Sequence, residues 1–387
     1  MRVATSVTDL PAATDIVVIG GGIVGASVAY ELVTAGRDVV VVDPARPGRA
    51  SDAGAGIASP QTNADPDPQW HEFGALAAAY LRELVERLRD DGADLGSEPL
   101  AECGSLVVAL AEHEDPWFEQ VAALATQRDP DVAEISATDA QTRFPVLCRP
   151  WRALFSPHSA RVDGRGLTRA LHAAIAGRGS PLVHTEVDKL TRLGDRVVSV
   201  STAEGSIACE QVVLAAGAWS TALAAPLGVR LPVEPTKGEI VHLVQRPTGE
   251  LSESGAWPIV QPVLNFYLVP WAQGRVACGG TFDPGAGFDV RPTAEGLRDL
   301  LRESLVIAPG LGAAEVVETR VGLRPTTPDD RPLLGPLRGT ANVHLCTGHG
   351  ANGLLLGPYS GALVAAWLVR GDVNALLPYD ADRFGVA

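Results

Sequence analysis

The sequence predicts an α/β chain with a Rossmann-like nucleotide-binding domain and a second, α+β domain on a large antiparallel sheet. Three observations predict it. First, the apolar run 16–19 stops at three glycines, re-enters as a helical stretch and ends in a second apolar run at 39–42. Short, continuously apolar runs in this order mark parallel strands buried on both faces. Second, residues 343–353 repeat that plan near the C-terminus, with strand, glycine-rich turn and helix. Third, from 231 to 280 the pattern alternates and is rich in β-branched and aromatic residues, with turns at Pro247-Thr-Gly and Gln273-Gly. That is the pattern of an antiparallel sheet of four or more strands.

In the opening unit Gly20, Gly22 and Gly25 satisfy G-x-G-x-x-G. The first glycine permits the tight turn, the second lets backbone approach a pyrophosphate, and the third lets helix pack on strand. The helix expected over 23–35, which opens with Ile23 and Val24, aims its N-terminal N–H groups at the phosphates. Asp43 ends the second strand 18 residues after Gly25, where a carboxylate can accept both hydroxyls of an adenosine ribose. A lone glycine fingerprint would be weak; strand, glycines, helix, strand and acid together point to a bound dinucleotide.

At 387 residues the chain has room for two domains. Its 46% hydrophobic and 20% charged residues are those of an ordinary globular protein. The net charge of -15 argues against a nucleic-acid partner, which needs basic surface. Five scattered cysteines without C-x-x-C fit reduced thiols in a cytoplasm, and the histidines show no metal-ligand spacing. Residues 1–14 carry no signal-peptide core and are expected to form a loose extension. The apolar stretch 353–369 is short for a membrane span, so a buried helix is expected.

The loop 44–56, running Pro44 to Gly56 through Ser51, Gly54 and Ala55 and on to Ile57, is a second glycine-rich segment suited to lie against the cofactor. Residues 70–89 form an amphipathic helix, with Leu76, Tyr80, Leu84 and Leu88 expected to pack on the sheet. Strands at 105–110 and 133–136 flank a polar helix at 115–128. The Rossmann rhythm is lost there, which places a domain crossing near 95. A helix at 166–176, a strand at 182–188 containing Val187, and a hairpin of 196–201 with 206–209 follow. Residues 211–220 then repeat the strand-to-turn logic through Ala216, Gly217 and Trp219. A helix at 293–307 and a strand at 316–321 complete the second domain. The expected division is 15–95, 150–225 and 320–387 for the nucleotide domain, and 96–149 with 226–319 for the second.

Three separated stretches carry a resemblance: Gly20-Gly-Gly-Ile-Val-Gly25, Val321-Gly-Leu-Arg-Pro325 followed by Thr327-Pro-Asp-Asp-Arg-Pro332, and Gly348-His-Gly-Ala-Asn-Gly353. Together and in this order they resemble D-amino-acid-oxidase-type FAD-dependent oxidoreductases, within which glycine oxidase, sarcosine oxidase and D-amino-acid dehydrogenases are most similar. The resemblance spans 15 to about 368. It implies FAD, held by the residues named above together with Gly322, Arg324 and the turn Gly348, His349, Gly350, Ala351, Asn352 and Gly353. That turn opens a helix whose N-terminus would favour negative charge on a reduced flavin. In relatives a covalent flavin link uses a cysteine where Gly322 or Leu323 stands here, so non-covalent FAD is expected.

The resemblance also implies hydride transfer from a glycine-type or N-substituted amino acid to flavin N5. The imine is then hydrolysed to keto acid and amine, and O2 reoxidises the flavin to give hydrogen peroxide. Arg324 matches the carboxylate-binding arginine, its planar guanidinium suiting two parallel hydrogen bonds. An ordinary ion pair with Asp329 or Asp330 is the competing role. Tyr267 matches a position that offers a phenol to the same carboxylate. At His349 the backbone is expected to matter more than the ring. Ala351 stands where glycine oxidase carries an arginine or similar polar group, which favours a bulkier or N-substituted substrate. Electron transfer to a quinone or carrier, a nicotinamide-dependent dehydrogenase, for which only the first motif speaks, and a non-catalytic FAD-binding subunit are the alternatives. A homo-oligomer is compatible with the second sheet.

Overall fold

The computed structural model describes residues 10–245, 254–262, 266–371 and 374–385. The turn expected at Pro247-Thr-Gly lies outside them. Two eight-stranded sheets and a small three-stranded one carry the fold.

In the first sheet the strand Ala13–Ile19 is central, parallel to Val39–Val42 on one side and to Gly205–Leu214 on the other. Val39–Val42 is wholly β-branched and wholly buried, which suits a strand covered on both faces. Two expectations change here. The hairpin strand 206–209 and the buried strand 211–214 are one strand, Gly205–Leu214. Its first half pairs antiparallel with Arg196–Thr202 and its second half pairs parallel with Val343–Thr347. The strand expected over 182–188 is instead two, Leu182–Val183 beside Val39–Val42, and Val187–Leu193 at the far edge. Ala13 and Thr14 belong to the first strand, so the extension ends before them.

Helices cover this sheet. Ile23–Thr34 and Gly353–Arg370 pack together, and Pro68–Asp90 packs on the latter. Asp67 caps Pro68–Asp90 by accepting from the Gln69 N–H (3.0 Å), with Pro68 at the first helical position. Its buried face is Trp70, Phe73, Leu81, Leu84 and Leu88. Each leucine so buried contributes about 2 kcal/mol. Leu76 is 47% exposed, and the face meets helices rather than the sheet, because Gly353–Arg370 already occupies that side. The segment Gly350–Arg370 is long and apolar enough to cross a membrane, yet half of its apolar window is buried inside the protein.

The second sheet runs Glu315–Thr326, Glu234–Val244, Arg275–Gly279, Tyr267–Pro270, Ile259–Pro262, Ser105–Ala109, Arg152–Ser156 and Ala133–Ile135. It is antiparallel except where Ile259–Pro262 lies parallel to Ser105–Ala109, so it is mixed rather than purely antiparallel. Gln273 and Gly274, both with positive φ, turn the hairpin between Tyr267–Pro270 and Arg275–Gly279. The chain leaves this sheet after Ser156 rather than at 150. Helix Ala294–Ile307 covers one face and is capped by Thr293, whose hydroxyl accepts from the Gly296 N–H (2.9 Å). A parallel bridge between Arg49 and Leu323 ties the loop after Asp43 to this sheet.

Three buried histidines give the fold an acid sensitivity. His242, His344 and His349 are 2%, 5% and 2% exposed, and burial pushes them down to about 3, 4 and 3. Unfolded, each would titrate near 6.5. On acidification the unfolded chain therefore binds protons that the folded chain does not, and stability falls. The loss should begin near pH 6.5 and continue to the folded values, at up to about 1.4 kcal/mol per pH unit for each histidine. The urea midpoint is therefore expected to fall between pH 7 and pH 5, above the range of ordinary carboxylates. A midpoint unchanged over that interval would contradict this assignment.

Candidate active site

The glycine turn is built by close approaches. Gly20 has φ +108, and a Cβ there would lie 2.4 Å from the Ala215 carbonyl oxygen. A Cβ on Gly25 would lie 1.9 Å from the Gly20 carbonyl oxygen, so helix Ile23–Thr34 can seat only against a bare backbone. Gly22 precedes that helix without a side-chain cap. Ser51, from the second glycine-rich loop, closes it by accepting from the Ile23 N–H (2.9 Å). That loop contains a short helix, Ala50–Ala53. His172, which the sequence did not single out, holds the turn from behind through Nε2 to the Gly21 carbonyl (2.8 Å).

Asp43 is buried, and its carboxylate accepts from the Gly21 N–H (2.8 Å), the Ala45 N–H (2.8 Å) and Arg49 Nη1 (3.1 Å). A carboxylate has about four lone-pair sites, so one remains beside the turn.

A cavity of about 800 Å³ runs from this turn to the second sheet. Every residue expected at the cofactor lines it except Gly25 and Gly348. Both act from behind: Gly25 as the packing glycine, and Gly348 (φ +78) as a turn pressed on the Thr327 methyl, 2.8 Å from where a Cβ would sit.

At the far end Arg324 and Tyr267 come together. Arg324 lies opposite Thr236, and its guanidinium rests on Gly238, where a Cβ would fall 2.2 Å from Nη1. Nη1 donates to the Thr281 carbonyl (3.0 Å). Among the described residues Arg324 has no carboxylate partner, and Asp329 pairs instead with Arg383 (2.7 Å). A Cβ on Gly280 would lie 2.9 Å from the Tyr267 hydroxyl and 3.2 Å from Arg324 Nη2, so phenol and guanidinium are neighbours. Burial raises the Tyr267 pKa, partly opposed by Arg324, which keeps the phenol protonated as a donor. His349 lines the same end with neither ring nitrogen hydrogen-bonded, and its low pKa keeps it neutral.

Gly238, Gly279 and Gly280 were missed as site residues. Adjacent glycines at a strand end were the available signal, since glycine in a strand marks a close approach. Gly238→Ala is expected to displace the guanidinium while leaving the backbone relaxed. The variant should retain FAD and lose at least about 30-fold in kcat/KM, mostly through KM, for a loss of about 2 kcal/mol. Unchanged steady-state kinetics would contradict this placement.

A nucleotide turn joined by one continuous cavity to a phenol and to a guanidinium with no carboxylate partner among the described residues fits an oxidoreductase built around a dinucleotide cofactor. Comparisons with known proteins specify the cofactor. The family model for FAD dependent oxidoreductases (DAO) matches residues 15–367. Glycine oxidase from Pseudomonas aeruginosa is 33% identical over 90% of this chain and 93% of its own. Among solved structures, iminodiacetate oxidase from Chelativorans sp. BNC1 superposes with a TM-score of 0.86 at 33% identity, covering 94% of this chain and 98% of its own. Glycine oxidase from Geobacillus kaustophilus superposes at 0.83 and 29% identity, with the same coverage. The chain belongs to the DAO family of FAD-dependent oxidoreductases, and FAD is its cofactor.

The residues present fit that group. Bare backbone at Gly20 and Gly22 can approach a pyrophosphate, Asp43 keeps a free lone pair, and the cavity passes the Gly350–Asn352 turn before reaching Arg324.

Proposed function

We propose that this enzyme oxidises the C–N bond of a glycine-type or N-substituted amino acid. The product imine is hydrolysed by water to a keto acid, glyoxylate for glycine types, and an amine. Bound FAD supplies the hydride acceptor, and O2 regenerates it with formation of hydrogen peroxide. The observation that carries this reading is Arg324, a guanidinium on the cavity wall with no described carboxylate partner and a protonated phenol beside it.

Arg324 receives the substrate carboxylate through two parallel hydrogen bonds, and the Tyr267 hydroxyl donates a third. Neutral His349 places no positive charge beside the amine. Ala351 lines the cavity with a single methyl, leaving space for an N-substituent. The likeness to an iminodiacetate oxidase supports the same preference. FAD is held without a covalent link: Gly322 and Leu323 carry no nucleophile, and burial pushes the Cys346 thiol on the cavity wall far up, so it keeps its proton. Five free cysteines support a reducing, cytoplasmic setting.

Aerobic turnover tests the acceptor and the substrate class together. Oxygen uptake should match peroxide formed, and N-alkylglycines should be turned over better than glycine. Dye reduction without oxygen uptake would replace the oxidase by a dehydrogenase that serves a quinone or carrier. Preference for glycine over every N-alkyl analogue would remove the role given to Ala351.

A further inference from the structure

A second cavity, about 10 Å³ and thus sized for one water or one halide ion, lies behind the loop that lines the large one. Gly54 and Ala55 are walls of both. Its polar lining is Asp163, Arg165, His242, Trp271, Arg275 and Arg320, drawn from the start of helix Gly164–Gly177 and from the second sheet.

Polar atoms here lack partners. Both ring nitrogens of His242 and the indole Nε1 of Trp271 are buried without a hydrogen bond among the described residues. So are Nε and Nη1 of Arg161, a fully buried residue whose guanidinium lies 5.1 Å from the Trp271 ring centroid. Arg275 lies 4.8 Å from the same ring, and its side chain has no hydrogen bond or ion pair among the described residues.

Charge points the same way. Arg161 pairs with Glu98 (2.9 Å), while Arg165 (2.9 Å) and Arg320 (2.7 Å) share Glu318. Asp163 turns back over its own helix, 2.6 Å from where a Cβ on Gly166 would sit. The three arginines of the lining, Arg165, Arg275 and Arg320, thus share two carboxylates, Glu318 and Asp163, with Arg275 in no ion pair among the described residues, and His242 is neutral. Neutral His242 and Asp163 bring acceptors as well as donors, but a water would leave one positive charge in excess, which a monovalent anion neutralises.

We propose that this cavity binds one monovalent, halide-sized anion, held by the Arg275 guanidinium group and the Trp271 N–H. Chloride is the abundant anion of that size. Bound there, it joins the helix start and the second sheet directly behind Gly54 and Ala55, bracing that wall of the FAD cavity.

Two measurements on the FAD-loaded enzyme test this. Crystals grown in bromide should show one anomalous peak in the small cavity. Melting temperature should rise saturably with sodium chloride and not with sodium gluconate, whose anion is too large, at equal ionic strength. Arg275→Gln and Trp271→Phe should each weaken the chloride response at least about tenfold, the loss of one charge-assisted hydrogen bond. Trp271→Phe keeps an aromatic ring for the neighbouring guanidinium groups and so keeps the test open if Arg275→Gln does not fold. Superimposed chloride and gluconate curves would overturn the proposal, as would both variants responding like wild type. A bromide peak without chloride-specific stabilisation would mean an adventitious ion only, and would overturn it too.

Discussion

Arg324→Ala is expected to lower kcat/KM for the amino-acid substrate by about 10³-fold while FAD stays bound. Two charge-assisted hydrogen bonds to a carboxylate contribute roughly 3–6 kcal/mol, and tenfold in rate is about 1.4 kcal/mol. The loss should be larger than for an exposed pair because the guanidinium rests on Gly238 in a site walled by Tyr267 and Gly280. Arg324→Lys should recover little. An ammonium is a point charge on a flexible stem and cannot reproduce the planar fork over the glycine floor. Parallel steady-state kinetics and flavin absorbance of the purified variants check this. A variant that lost its flavin would shift the role of Arg324 from substrate to cofactor.

Gly20→Ala is expected to yield protein that purifies with little or no FAD and melts well below the wild type. An alanine at φ +108 is strained by about 1–3 kcal/mol, and its Cβ would press on the Ala215 carbonyl at 2.4 Å. The turn must open, and opening it moves the backbone that the pyrophosphate would meet. Gly36→Ala is the internal control. Gly36 also has positive φ (+79), but nothing lies within 4 Å of its Cβ position. It should lose about 1–2 kcal/mol of stability and keep its flavin. Flavin content and melting temperature of the two variants, measured together, separate strain from collision. Equal flavin loss in both would show that backbone strain alone, not the close approach, controls binding.

What could be read before the structure follows physical range. The opening strand, helix and strand are local patterns, and Ala13–Ile19, Ile23–Thr34 and Val39–Val42 stand within a few residues of expectation. Helix 115–128 was legible for the same reason. Pairings between distant segments were not. Nothing near Ile259 says that its strand lies parallel to Ser105–Ala109, because that neighbour is some 150 residues away in sequence. Helical periodicity placed Leu76 on the buried face of its helix, yet Trp70 and Phe73 set that face and Leu76 points to solvent. At the site, the glycines and Arg324 were legible through their stretches. His172, Gly238 and the Arg275–Trp271 pair were not, since each matters through a partner that only the fold supplies.

The glycine floor also explains why Arg324 was ambiguous in sequence. Asp329 and Asp330 are near it along the chain, and an ordinary ion pair was a reasonable expectation. In the fold Asp329 is taken by Arg383 while Arg324 turns across Gly238 into the cavity. Strand pairing with 234–244, not sequence proximity, decides which charge is left without a carboxylate partner among the described residues.

The most direct test of the central claim is anaerobic absorbance of the FAD-loaded enzyme against glycine, N-alkylglycines, iminodiacetate, proline and D-amino acids. It follows the reductive half-reaction whatever the final electron acceptor is. Rapid bleaching by a glycine-type or N-substituted amino acid, lost in Arg324→Ala, is the expected result. Flavin that stays oxidised with every one of these amines would contradict amine oxidation and leave Arg324 without its assigned role.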